Sequence, residues 1–339
     1  MRICIYGAGA VGGHIAVRLM LGGTPVSVIA RGAHLEAIRE RGLTLLRGER
    51  SDVVRPACTD DPETLGPQDL VVVATKTTSL PAVARGLPCL LDAHTLVVLA
   101  QNGIPWWFAD GASPPVSQAL VTRVDPDGAV RRAIPLDRTV AGVVYSGNEV
   151  IQPGVIRSST PHRNRLLLGV PRGTAGSHLQ EFAGRLSRSG YEATITPAIR
   201  EEIWSKLVSV VAVSCVAALT GMNSLEICSD PGGRSVAAAM MRDVQRIGQA
   251  LGLTAHFDIN ARLDPARNHP HRPSLLQDME AGRPLELNSG ILAVQAVARA
   301  LGVDTPALDV VAALVAARAS RRGRGLAPES EGSHFRFVE

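Results

Sequence analysis

Met1-Arg2-Ile3-Cys4-Ile5-Tyr6-Gly7-Ala8-Gly9-Ala10-Val11-Gly12-Gly13 opens the chain, and its reading decides the fold. A short apolar run ends in a glycine-rich turn. An amphipathic segment, His14 to Leu21, follows and is closed by Gly22-Gly23; Pro25 to Ala30 then reads as a second buried strand. Strand, glycine turn, helix and strand in that order are what a dinucleotide-binding fold requires. Gly7 permits the tight turn, Gly9 lets the backbone approach a pyrophosphate, and Gly12 allows close packing of helix on strand. The run Gly7, Ala8, Gly9, Ala10, Val11 and Gly12 is therefore the expected cofactor loop, with helix N–H groups facing the phosphates.

Leu70–Thr75, Thr95–Ala100 and Thr139–Val144 are further apolar runs, suited to a parallel sheet covered on both faces. Lys76 follows the first of them and Gln101-Asn102-Gly103 the second, beyond the carboxyl ends of strands, where open α/β sheets bind ligands. The second strand ends in Arg31, where an NAD enzyme would carry an acidic residue for the ribose hydroxyl. An arginine there suits a 2′-phosphate, so NADPH is the expected cofactor; the alternative is a solvated loop arginine beside Gly32.

From about Pro197 the pattern turns helical, with helices expected over Ala198–Gly221, Gly233–Leu251, Ser274–Ala281, Glu286–Leu301 and Ala307–Arg321. The expected fold class is α/β: an N-terminal Rossmann-type doubly wound sheet followed by an all-helical C-terminal domain. The boundaries read as 1–197, 198–322 and a polar tail, 323–339. A chain of 339 residues fits two such domains. Aromatic content of 3% and scattered arginines argue against a nucleic-acid partner. The strand at the very start leaves no room for a signal peptide. The apolar run Leu207–Thr220 reads as too short for a membrane span. With five cysteines in no metal-ligand spacing, a cytoplasmic protein with no membrane partner is expected. His269 and His271 lack matching ligands, so no metal is expected.

Of 35 basic residues only Lys76 and Lys206 are lysines. Where charge alone is needed this chain uses arginine, so the two lysines mark positions that need an ammonium. Codon bias is the plain alternative. Lys206 lies in an apolar helix, on one face with Ser209, Val210, Ser214 and Ala217. Desolvation there would move a lysine towards proton-transfer duty. A surface pair with Glu202, one turn earlier, is the competing reading.

These residues together resemble the ketopantoate reductase family over almost the whole chain. The ordered pieces are the glycine loop; Ala30-Arg31-Gly32-Ala33-His34-Leu35 to Gly42-Leu43; Lys76; Asn102-Gly103; and Pro153-Gly154-Val155-Ile156. Glu202-Ile203-Trp204-Ser205-Lys206, Ser274-Leu275-Leu276-Gln277-Asp278 and Glu286 complete the set. The resemblance implies NADPH-dependent reduction of a 2-oxo acid to a 2-hydroxy acid, with ketopantoate the default substrate, in a cytoplasmic homodimer. It implies that Lys206 is the general acid and that Lys76 and Asn102 sit near the nicotinamide and ribose. Glu286 would orient substrate or cofactor, and Ser274 would meet the substrate carboxylate. The chain departs from the family where asparagines are replaced by Val210, Ser214 and Ser224, which implies a drier pocket and a more apolar 2-oxo acid. A non-catalytic NADP(H) sensor is the rival reading. An opine dehydrogenase would need a histidine–aspartate acid pair, and the chain offers none. Trp106-Trp107-Phe108 would roof the site, or cover the sheet or a dimer contact.

Overall fold

The computed structural model describes residues 1–160, 164–254 and 257–321. The expected tail, 323–339, lies outside them. Two compact units emerge: Met1–Leu207 with Leu253–Ala255, and Val208–Gly252 with His256–Glu339.

The first unit holds all the strands of the described residues. In chain order they are β1 (Ile3–Tyr6), β2 (Ser27–Ile29), β3 (Leu43–Arg47), β4 (Arg50–Val54), β5 (Ala57–Thr59), β6 (Leu70–Val73), β7 (Leu96–Leu99), β8 (Thr139–Tyr145), β9 (Asn148–Gln152), β10 (Val155–Ser158), β11 (Arg165–Gly169) and β12 (Glu192–Ile195). Eight of them form one sheet in the order β12-β11-β8-β7-β6-β1-β2-β5. The six strands from β8 to β5 pair in parallel and have the Rossmann order, which reverses beside β1. The sheet is mixed, because β11 runs antiparallel to β8 and carries β12 in parallel with itself. The central parallel strands β1, β6 and β7 are apolar because both faces of the sheet are covered. Val71, Val72, Val97 and Val98 are fully buried.

Helix α1 (Ala10–Leu21) starts directly at the glycine turn. Its residues Ile15, Ala16, Val17 and Leu19 are fully buried, and each larger side chain among them contributes about 1.5–3 kcal/mol. Gly12 cannot be replaced there, since a Cβ would stand 2.0 Å from the Gly7 carbonyl oxygen. Helix α2 (Gly32–Arg41) follows β2 and buries Leu35, Ala37 and Ile38.

A second, four-stranded sheet, ordered β4-β3-β10-β9, packs on α1. The sequence reading does not anticipate it. Its outer strands are short and polar, with most of β4 and β9 exposed or half-buried, so their apolar alternation is weak. Close to it, α1 carries two buried polar residues. The His14 Nδ1 meets the Tyr191 hydroxyl at 3.0 Å. Burial, reinforced by Arg18 and Arg47, pushes the His14 imidazole down to about 3, and burial pushes the Tyr191 phenol up to about 12.

The helix Ile199–Thr220 runs across the boundary between the units. At 22 residues it is long and apolar enough to cross a membrane, so the expectation that the apolar run is too short is corrected. What marks it as a core helix is that 56% of its most apolar window is buried in the protein. Arg200, Glu201, Glu202 and Lys206 also charge its first two turns.

The second unit is helical in its described residues. Its elements are Ser224–Ser229, Pro231–Ala250, Ile259–Arg262, Ser274–Ala281, Ile291–Leu301 and Pro306–Arg321. Buried Asp243 joins two of them: it accepts from the Leu308 N–H at 2.9 Å and from Arg246 at 2.6 Å. The helix expected from Glu286 begins only at Ile291, after a turn at Leu287–Gly290. Leu287 and Ile291 keep helical spacing, but Gly290 caps the helix and leaves Glu286 in the preceding loop.

Candidate active site

The carboxyl ends of β1, β6, β7 and β8 gather one continuous constellation. Beyond β1 lies Gly7, with φ of +101°, a conformation that glycine alone adopts readily. A Cβ on it would also stand 2.7 Å from Thr75 Cγ2, so the loop after β6 is packed directly against the glycine turn. Thr75 in turn accepts, at its carbonyl, a 2.7 Å hydrogen bond from Gln101 Nε2 in the loop after β7. Lys76 is the next residue, half-buried at the start of the short 3₁₀ turn Thr77–Ser79.

Asn102, beside Gln101, accepts at Oδ1 from the Lys206 ammonium at 2.7 Å. Lys206 Nζ also donates to the Val144 carbonyl in β8 at 2.6 Å and stands 5.6 Å from the centroid of the Tyr145 ring. Lys206 and Asn102, 104 residues apart, are thus brought together. The ammonium is half-buried, and these two bonds fix where it points.

The start of the helix that carries Lys206 is set by the aromatic segment. Trp106, Trp107 and Phe108 form a buried 3₁₀ turn. Phe108 stacks on Trp204 at 6.0 Å. The Arg200 guanidinium lies 5.2 Å and 5.1 Å from the ring centroids of Trp107 and Phe108. It also donates to the Phe108 and Asp110 carbonyls. This segment therefore packs under the lysine helix within the first unit.

The glycine loop fits a dinucleotide. A Cβ added at Gly9 meets nothing within 4 Å, so the space above it is open for a phosphate, and no acidic residue stands in the first turn of α1 to repel one. Arg31 is exposed at the N-terminus of α2, and its charge reaches the Tyr6 phenol at the end of β1. Among the described residues no group of three histidines, cysteines or carboxylates is placed to hold a metal.

The remaining predicted residues lie in or beside the second unit. Val210 and Ser214 stand one and two turns beyond Lys206, Val210 half-buried and Ser214 buried. Ser224 begins a helix, and its N–H donates to the His271 carbonyl. Asn223, its neighbour, spends its side chain on a reciprocal cap with Glu226. Ser274 is exposed at the start of its helix, and Glu286 is half-buried in its loop.

Sequence reasoning missed Thr75, Val144 and Tyr145. Tyr145 carried a usable signal, being one of three tyrosines and placed at a strand end. The backbone oxygen of Val144 left none.

A Rossmann sheet with a glycine turn after β1 and a lysine held at the carboxyl ends of β7 and β8 fits a nucleotide-dependent oxidoreductase. Comparison places it further. Residues 3–170 match the family model for ketopantoate reductase PanE/ApbA, and residues 198–319 match the model for its C-terminal part. The chain belongs to the ketopantoate reductase family. It is 38% identical over 325 residues to a 2-dehydropantoate 2-reductase of Mesorhizobium japonicum, covering 95% of this chain and 99% of that one. A crystal structure of a candidate ketopantoate reductase from Ralstonia solanacearum superposes with a TM-score of 0.85 at 37% identity, covering 95% and 98% of the two chains. A D-mandelate dehydrogenase bound to NADH and anilino(oxo)acetate shares the fold at a TM-score of 0.81 and 19% identity, over 95% and 99% of the chains.

Proposed function

We propose that this enzyme reduces 2-dehydropantoate to pantoate with NADPH, in the cytoplasm. The observation that carries the reading is the Lys206 ammonium, held by Asn102 and Val144 at the carboxyl ends of β7 and β8, in the sheet whose β1 carries the glycine loop. NADPH, when bound, supplies the hydride that adds to the substrate's carbonyl carbon. Gly7, Ala8, Gly9, Ala10, Val11 and Gly12 would hold its pyrophosphate, Arg31 its 2′-phosphate, and Lys76 and Asn102 its ribose and nicotinamide end.

Lys206 gives its proton to the carbonyl oxygen as charge develops there, and its ammonium stabilises that charge before transfer is complete. Asn102 and Val144 restrict the ammonium to one place, which removes an orienting cost from the reacting complex. By family likeness Glu286 orients the substrate and Ser274 meets its carboxylate. Free thiols at Cys4, Cys58, Cys89, Cys215 and Cys228 support a reducing compartment. Val310 and Leu314, exposed one turn apart on the helix Pro306–Arg321, support a homodimer.

A second reading, reduction of a more apolar 2-oxo acid, is favoured by Val210, Ser214 and Ser224, which cannot offer the hydrogen bonds of an amide. NADPH consumption over a panel of 2-oxo acids separates the two. 2-Dehydropantoate turned over far better than all others supports the first; an apolar 2-oxo acid preferred at least tenfold, on the order of one lost amide contact, supports the second. No turnover with any member sinks both and leaves the sensor.

A further inference from the structure

We propose that His34 is a positioning residue that aims the backbone of the glycine loop at the cofactor pyrophosphate. The inference rests on the NADPH reading above.

His34 lies on α2, one turn after Arg31, and its imidazole bridges two backbone groups from distant parts of the first unit. Its Nε2 is 2.8 Å from the Ala8 carbonyl oxygen. Its Nδ1 accepts the N–H of Gly154 at 3.0 Å. The second bond fixes the tautomer. An Nδ1 that accepts leaves the proton on Nε2, so His34 donates to Ala8.

The consequence follows from peptide geometry. The described residues contain no cis peptide bonds, and in a planar trans peptide the C=O and the following N–H point in opposite directions. Holding the Ala8 carbonyl towards His34 therefore turns the Gly9 N–H the other way. The N–H so turned belongs to the residue of the glycine turn around whose Cβ position the space is open. One hydrogen bond inside the protein thus presets a donor for a phosphate oxygen. The loop would otherwise have to find this orientation when the cofactor arrives, at a cost in affinity.

The Gly154 bond serves a different purpose. Gly154 lies in the turn between β9 and β10, with φ of +79°, and a Cβ on it would stand 3.1 Å from Ala37 Cβ of α2. Its carbonyl accepts from Thr44 at the start of β3. This side of His34 pins the second sheet to α2 and bears on the fold. The two bonds can be separated by substitution, because a glutamine amide reaches the Nε2 position and an asparagine oxygen reaches the Nδ1 position.

The test is NADPH titration of the cofactor-free protein by nicotinamide fluorescence, with thermal unfolding of the same samples. His34→Ala and His34→Asn should weaken NADPH about five- to tenfold, the size of one lost hydrogen bond. His34→Gln should stay within about twofold of wild type, by the same measure. Unfolding should rank the other way: His34→Asn keeps the Gly154 bond and melts above His34→Gln. Affinity that tracks melting temperature through all three variants, or wild-type affinity in His34→Asn, overturns the proposal while leaving the NADPH reading intact. A wild-type protein that does not bind NADPH overturns that reading and this proposal with it.

Discussion

Replacing Lys206 by methionine keeps the length and most of the volume of the side chain and removes the ammonium. Two things are lost. The Asn102 Oδ1 and Val144 oxygen lose donors at 2.7 and 2.6 Å, and the reacting carbonyl loses its acid. Each charge-assisted bond contributes about 1.5–3 kcal/mol against water. Asn102 is half-buried and regains water, whereas the Val144 carbonyl is buried, so the net loss of stability should be about 1–3 kcal/mol, within the ~5–15 kcal/mol of an ordinary domain. The chemical loss is larger. A positioned general acid contributes about 10²–10⁴ and a donor aimed at a developing oxyanion about 10²–10³. One proton serves both roles here, so the factors overlap. The expected fall in kcat is about 10³–10⁴, or about 4–5.5 kcal/mol of barrier. Lys206→Arg should fall nearly as far. It keeps the charge, but a guanidinium does not give up its proton at working pH. The assay is NADPH oxidation at saturating 2-oxo acid, with circular dichroism and NADPH titration confirming a folded protein that still binds cofactor. Either variant keeping kcat within about tenfold of wild type, less than the smallest general-acid effect, would refute the assignment of the acid.

Two further outcomes are expected. Arg31→Glu should raise the KM for NADPH about 100-fold and that for NADH only a few-fold, since only the phosphorylated ribose loses an ion pair; equal effects in steady-state kinetics would remove Arg31 from the 2′-phosphate site. His14 should make the protein acid-sensitive. Its folded pKa lies near 3 against an ordinary 6.5, so the native imidazole stays neutral while the unfolded one takes up a proton below about 6.5. Stability is then full above that pH and falls by about 1.4 kcal/mol per pH unit below it. Denaturant melts at pH 6.5 and 5 should differ by about 2 kcal/mol in wild type and far less in His14→Gln; equal slopes in the two proteins would show that His14 is not the group that titrates.

What could be read in advance followed from strong local signals. The glycine loop announces itself because only glycine tolerates the turn at Gly7 and the contact at Gly12. Lys206 stood out because the rest of the chain uses arginine. Its environment was read less well. The helix was expected to bury the ammonium, whereas Lys206 is half-buried and is steadied by Asn102 and a strand carbonyl. Backbone oxygens and contacts between segments a hundred residues apart leave no periodicity to read. The second sheet was hidden for a related reason. Strands such as Arg50–Val54 bury one face only partly, so their residues do not alternate cleanly. At Glu286 the apolar spacing was helical, and Gly290 overruled it.

All three tryptophans of the chain, Trp106, Trp107 and Trp204, lie in the joint that seats the lysine helix. The indole nitrogens of Trp106 and Trp107 are buried without hydrogen-bond partners among the described residues. The protein's intrinsic fluorescence is therefore a built-in gauge of one place, emitting from dry surroundings while the joint is closed. Asn102 lies four residues before Trp106, and Lys206 two residues after Trp204. A change in emission colour then reports whether acid and partner are still held together, with no label added.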